Sequence, residues 1–250
     1  MKKIYVFSSL YVLAYFLMLT MSFALASCDN GTTNGSSNGN DSGRATLSLS
    51  GQIRRPLSMK RQDRVSDAYQ NYNPGRSLTI NSNLGVNGTI SATGQISFTI
   101  GTPNIQYLAT HTELVQFMAY TFPVYRNITF TPADTLITFL ELSFDGPDPE
   151  SGNETIFSLY RERNTGTVNN RNGSGVDEGV FYIYVNKDVT VTMQGGSLYG
   201  SIYNNANLNL RHGWNTVRST EMWNITNRNE TSVFNLSVAD PVNFVWVASD

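Results

Sequence analysis

Few side chains in this 250-residue chain could take part in nucleophilic, acid–base or transition-metal chemistry. Cys28 is the only cysteine, so neither an intrachain disulfide nor a site with several thiolate ligands can form. A Ser-His-Asp triad would have to use one of the two histidines, His111 or His212. We place His212 in a loop, as a solvated turn residue, and His111 just inside a helix start, and we interpret neither as a catalytic residue. We therefore predict a protein without a catalytic site.

Acidic side chains provide one weak metal candidate. Asp145, Asp148 and Glu150 lie close together in one polar segment, and their oxygen ligands suit calcium better than transition metals. Their spacing does not follow the EF-hand pattern, and two prolines stiffen the segment. An exposed acidic loop is the simpler interpretation, so no metal cofactor is expected.

Three aromatic residues form a candidate ligand surface. On the predicted strand 180–185, Tyr182 and Tyr184 share the face that we expect to point outward, and Trp214 follows the short loop Arg211-His212-Gly213. Such rings could stack against a sugar. Packing between neighbouring strands is the alternative use of aromatic residues on a sheet.

The residues before Cys28 have a distinct pattern. Lys2 and Lys3 open the chain, an unbroken apolar run follows, and the segment ends in Leu25-Ala26-Ser27-Cys28. This ending resembles the lipobox of bacterial lipoproteins. The resemblance implies that residues 1–27 are a signal peptide removed before Cys28, whose sulfur then carries a diacylglyceryl group. Two acyl chains suffice for stable anchoring. An uncleaved membrane span or a secretory signal cut after Ala26 are the alternatives.

The anchor predicts a location and one partner. A lipoprotein of this kind is attached to the outer membrane or to the periplasmic face of the inner membrane. The covalent lipid is then the only attached group that we expect. Without Lys2 and Lys3 the chain carries 15 basic and 19 acidic residues, a net side-chain charge of −4. That charge argues against nucleic acid as a partner, and a protein or a glycan remains open.

Composition divides the mature chain into a tether and a folded domain. Residues 28–44 are rich in Gly, Asn and Ser, and we expect a flexible tether with a reach of roughly 20–24 Å. Residues 45–250 alternate between apolar and polar side chains, as β-strands do. We expect one domain there, with a division near 145–155 as the alternative.

The alternation predicts an all-β fold, specifically an antiparallel β-sandwich of immunoglobulin-like or transthyretin-like form. The segment 180–193 is predicted to be a hairpin that turns at Asn186-Lys187-Asp188. One short helix is expected after Thr110, where Glu113 completes a capping box. Long polar loops around one short strand are expected in 145–179.

Three stretches carry a family resemblance: GQISFTIGTP (94–103), FTPADTLITFLELSFDG (130–146), and VFYIYVNKDVTVTMQGG with LNLRHGWNTV (180–196 and 208–217). They resemble small lipoproteins of unknown function from spirochaetes, notably treponemes. The resemblance implies an exported β-rich domain on a lipid tether and no particular substrate. A non-catalytic binding or structural module is the favoured function. A glycan-binding β-sandwich and an envelope hydrolase or its accessory domain are the alternatives.

Overall fold

β-Strands make up nearly all of the regular structure. A computed structural model describes residues 44–56, 69–110, 112–113, 124–148, 151–169, 172–198, 200–227, 229–239 and 244–249, which belong to one compact unit. The strands within these ranges are β1 (Leu47–Pro56), β2 (Tyr69–Asn71), β3 (Leu78–Ser82), β4 (Gly88–Ile90), β5 (Gln95–Ile100), β6 (Ala109–Thr110), β7 (Arg126–Thr131), β8 (Leu136–Phe139), β9 (Leu142–Pro147), β10 (Glu154–Asn169), β11 (Asn172–Val185), β12 (Val189–Gln194), β13 (Ser197–Leu198), β14 (Ser201–Tyr203), β15 (Ala206–Leu210), β16 (Gly213–Thr226), β17 (Asn229–Val238) and β18 (Val245–Ser249).

Seven of these strands form a closed sheet. Their order is β1-β5-β4-β3-β9-β10-β18, and β18 returns to β1. Each neighbouring pair is antiparallel except β1 and β18, which run parallel with Ile53 opposite Trp246. Strict alternation in β5 buries Ile96, Phe98 and Ile100, which join the core of this closed sheet.

An extended sheet continues from the closed one. The second half of β10 pairs with β11, and β11 pairs with β16 along most of its length. The order then continues through β17, β14 and β13. Because β10 belongs to both sheets, residues near its middle, Arg161 to Arg163, lie where the closed sheet opens into the extended one.

A separate three-stranded sheet, β15-β12-β7, forms a second layer. Its apolar residues, such as Val191 and Leu208, share a second core with Ile183 and Val185 of β11. Tyr182 and Tyr184 of the same strand belong to the first core. From Tyr182 to Val185 both faces of β11 are therefore buried, each against a different set of strands.

The predicted hairpin at 180–193 is wrong. β11 pairs with β10, β16 and β8, whereas β12 pairs with β15 and β7 in the other sheet. The turn at Asn186 instead joins two layers, and the amide oxygen of Asn186 accepts a hydrogen bond from the backbone of Leu136 at 2.8 Å. The loop before Gly213 likewise joins strands of different sheets, and Gly213 has the positive φ of 105° that the loop requires.

The predicted long polar loops of 145–179 are also wrong. Most of this segment is the β10–β11 pair, with Asn169 opposite Asn172 at its end. Its Asn, Gly, Ser and Thr residues lie in strands of the extended sheet, where β11 also pairs with β16, and their polarity obscured the strand pattern.

The start of the expected helix is present. Thr112 and Glu113 are helical, and the capping box is formed: Oε2 of Glu113 accepts from the backbone N–H of Thr110 at 2.8 Å. This hydrogen bond and a second one from the hydroxyl of Thr110 hold the pKa of Glu113 below its ordinary value. The remainder of that predicted helix lies outside the described residues. One 3₁₀ turn, Ile105–Tyr107, precedes this segment.

The all-β fold expected from the sequence is confirmed. The immunoglobulin-like or transthyretin-like arrangement is not evident, because seven strands close on themselves instead of forming two open sheets. This closure depends on the pairing of β1 with β18, strands from opposite ends of the folded domain.

Candidate binding site

Three arginines gather on one face of the extended sheet. Arg161 and Arg218 lie on either side of Val180 on three neighbouring strands, and Arg163 follows Arg161 on the same face of β10. Neighbouring strands lie about 5 Å apart and alternate residues about 7 Å apart, so the three Cα atoms fall within about 12 Å of one another. We call Arg161, Arg163 and Arg218 the arginine cluster.

Aromatic rings and one carboxylate hold the arginine cluster in place. The guanidinium carbon of Arg161 lies 5.5 Å from the ring centre of Trp246, and that of Arg163 lies 5.5 Å from the ring centre of Phe244. Nε of Arg163 donates to Oε2 of Glu178 at 2.5 Å, and a nitrogen of Arg218 lies 3.5 Å from the other carboxylate oxygen. These contacts position the guanidinium groups without a ligand.

The arginine cluster combines accessibility with excess positive charge. The side chains of Arg163 and Arg218 are 37% and 35% exposed, whereas Glu178 is only 5% exposed. Among the described residues on this face, Glu178 is the carboxylate that contacts the cluster, through Arg163 and Arg218. The neighbouring Glu162 alternates to the other face of β10, where it pairs with Tyr69. Two positive charges are therefore left to attract an anion.

A second polar feature lies on the three-stranded sheet. An open depression of about 390 Å³ is lined by side chains that include Asn127, Thr192, Gln194, Asn205 and Asn207. Nδ2 of Asn127 donates to Oε1 of Gln194 at 2.7 Å. Amides and hydroxyls of this kind can hydrogen-bond a neutral, hydroxyl-rich molecule. The depression has no charged group among its lining residues to orient such a ligand.

The predicted aromatic surface is not exposed. Tyr182, Tyr184 and Trp214 are all less than 7% exposed, so the prediction that the two tyrosines face outward is wrong. Tyr182 stacks on Trp246, and Tyr184 meets Trp214 edge to face at 5.5 Å between ring centres. Nε1 of Trp214 donates to the carbonyl oxygen of Gly101 at 2.8 Å. These rings therefore pack the core.

The predicted acidic segment is divided. Asp148 pairs with Arg55, whose guanidinium carbon lies 4.9 Å from the centre of the Phe157 ring. Asp145 is an exposed residue of β9, and Glu150 lies outside the described residues. No group of three or more His, Cys, Asp or Glu residues in the described part of the chain is arranged to hold a metal ion.

The remaining predicted positions fall in two classes. Cys28, its preceding residues Leu25, Ala26 and Ser27, and His111 lie outside the described residues. His212 is exposed in its loop, and its backbone N–H donates to Oδ1 of Asp188 at 2.8 Å. This hydrogen bond, with one from Arg211, holds the pKa of Asp188 below its ordinary value.

Sequence reasoning missed the arginine cluster. Arg161-Glu162-Arg163 would place two arginines on one face if the segment were recognised as a strand, because side chains alternate along a strand. Because residues 145–179 were predicted to form mainly polar loops, the alternation of Arg161 and Arg163 was not interpreted as one face of a strand. Arg218 joins them only through the pairing of β11 with β16, which the sequence does not reveal.

Comparisons with known proteins do not identify the chain. No protein family, curated protein or solved structure matches it. Within the described residues, no helix has the length and apolar character needed to cross a membrane.

Proposed function

We propose that this protein is a lipid-anchored component of a bacterial cell envelope. Its folded domain is a non-catalytic binding module. The anchor rests on the lipobox-like residues Leu25, Ala26 and Ser27 before Cys28 and on the polar tether that follows. The two layers that enclose the second core support a partly sandwich-like architecture for the tethered domain.

The arginine cluster is the observation that supports a binding function. Its guanidinium groups are held by Trp246, Phe244 and Glu178 before any ligand arrives. Side chains fixed in this way lose little conformational entropy when a ligand binds. The same cluster contains fixed cations and a carboxylate already engaged by two arginines, an arrangement suited to recognition more than to proton transfer.

Metabolic labelling tests the anchor. Cells that express the wild-type chain and are grown with labelled palmitate should yield a labelled protein in the membrane fraction. The Cys28→Ala variant should be unlabelled, because it lacks the sulfur that accepts the lipid. Cys28→Ser is the matched control for size and should also be unlabelled. Equal labelling of wild type and both variants would contradict the proposal.

A further inference from the structure

We infer that the arginine cluster is a binding site for a phosphate group, carried either by a soluble ester or by the headgroup of an anionic phospholipid. This inference rests on the proposed binding function and adds the class of ligand. Arginine presents a planar fork of donors that matches the oxygens of a phosphate.

Charge supports this ligand. The two positive charges that Glu178 leaves uncompensated match a phosphate monoester, which carries about −1.5 to −2 at neutral pH. Glu178 is buried and contacts Arg163 and Arg218, and both arginine side chains remain about one third exposed beside it. The nearby side chains of Thr220, Asn235 and Ser237 lie on the same face and add neutral hydrogen-bonding groups.

Guanidinium geometry supports it as well. Nη1 of Arg161 donates to the hydroxyl oxygen of Tyr182 at 3.2 Å while its guanidinium lies over Trp246. These contacts leave donors of Arg161 unused, including Nε, which is buried and has no hydrogen-bond partner among the described residues. The pairing register places Arg161, Arg163 and Arg218 around one space on this face of the sheet. A tetrahedral oxyanion in that space would accept from three separate side chains, which a single arginine on a surface cannot provide.

The test uses the full protein as it is isolated from cells, whether or not it carries lipid, in micelles of an uncharged detergent. Isothermal titration calorimetry measures the binding of inorganic phosphate and of glucose 6-phosphate, with glucose as the neutral control. It also measures the binding of micelles doped with anionic phosphatidylglycerol, with zwitterionic phosphatidylcholine as the control. Saturable binding of phosphate or glucose 6-phosphate identifies a soluble source. Binding of phosphatidylglycerol alone identifies the headgroup. Either result supports the phosphate site, and no saturable binding of any phosphate probe overturns it.

Variants locate the site. Arg161→Gln and Arg218→Gln should each weaken binding about tenfold or more, because each removes a charge-assisted hydrogen-bonding group. Arg126→Gln removes an exposed arginine from the three-stranded sheet and should leave affinity within about twofold. Equal losses in all three variants would overturn the site, since they would indicate general charge attraction.

A conservative variant protects the test against misfolding. Arg218→Lys retains the charge and the contact with Glu178 but loses the planar fork, so it should fold like wild type and bind several-fold more weakly. If the single variants Arg218→Lys and Arg161→Gln both bound phosphate with wild-type affinity, the inference would be overturned. The calorimetry is independent of the palmitate experiment, so a missing anchor and a missing phosphate site give different results.

Discussion

The carboxyl group of Glu141 lies where the chain crosses from β8, paired with β11, to β9, paired with β10. Asn83 holds the backbone at this crossing: its Oδ1 accepts from the N–H of Glu141 at 2.9 Å. Oε1 of Glu141 is buried and accepts no hydrogen bond from the described residues. Burial raises the pKa of Glu141 to about 7, because desolvation disfavours the charged form.

This residue should make stability depend on pH. The folded-state pKa of Glu141 lies above the ordinary value of 4.5. The protonated carboxyl's contribution to the free energy of unfolding is therefore fully present below pH 4.5 and is lost as the pH rises towards about 7. We expect the free energy of unfolding to fall by about 2–3 kcal/mol across this window. In Glu141→Gln the side chain cannot ionise, so this fall in the free energy of unfolding with rising pH should disappear.

Urea unfolding at about pH 5 and about pH 8 measures the effect. Glu154→Gln is the control, since it removes an exposed carboxyl paired with Arg76 on the surface. An unchanged pH slope in Glu141→Gln would show that the Glu141 carboxyl does not titrate in this window.

Among the elements, β11 explains both the success and the failure of the sequence patterns. The alternation of Tyr182 and Tyr184 with Ile183 and Val185 correctly indicates a strand with two distinct faces. A two-sided strand normally has one exposed face, so the tyrosines were assigned to solvent. In the structure both faces are covered. Tyr182 and Tyr184 belong to the first core, whereas Ile183 and Val185 pack against the three-stranded sheet in the second core. Alternation reports local conformation, whereas the partner of each face depends on residues distant in sequence.

Trp223 of β16 packs against the polar ends of β10 and β11 in the extended sheet. Its ring lies against the paired glycines Gly166 and Gly175 on β10 and β11. A Cβ atom at Gly175 would lie 2.5 Å from the ring and 2.3 Å from the carbonyl oxygen of Thr165. These two positions therefore require glycine because a tryptophan occupies the space.

Gly175→Ala should destabilise the protein by about 1–3 kcal/mol, the usual cost of overpacking a filled site. For a domain of this size the midpoint of thermal unfolding should fall by roughly 3–10 °C. Gly101→Ala is the matched control, because nothing lies within 4 Å of the added methyl group. Circular dichroism during heating measures both variants. Equal midpoints for the two would contradict the packing of Trp223 on these glycines.

For the whole molecule, pairing between distant strands decided what the sequence could predict. The capping box at Thr110 and the alternation in β5 are local, and each is observed. The closure of β1 onto β18 joins residues almost 200 positions apart, as the hydrogen bond from Nε1 of Trp246 to the carbonyl oxygen of Ser50 illustrates. No local pattern encodes such a pairing, so the closed sheet and the arginine cluster were both missed.

The proposed envelope location depends on covalent lipid attached to Cys28. Mass spectrometry of the N-terminal peptide, isolated from the protein in its native membrane, tests this most directly. We expect a peptide that begins at Cys28 and carries the added mass of a diacylglyceryl group. A peptide with an unmodified Cys28, or one that still includes residues 1–27, would contradict it.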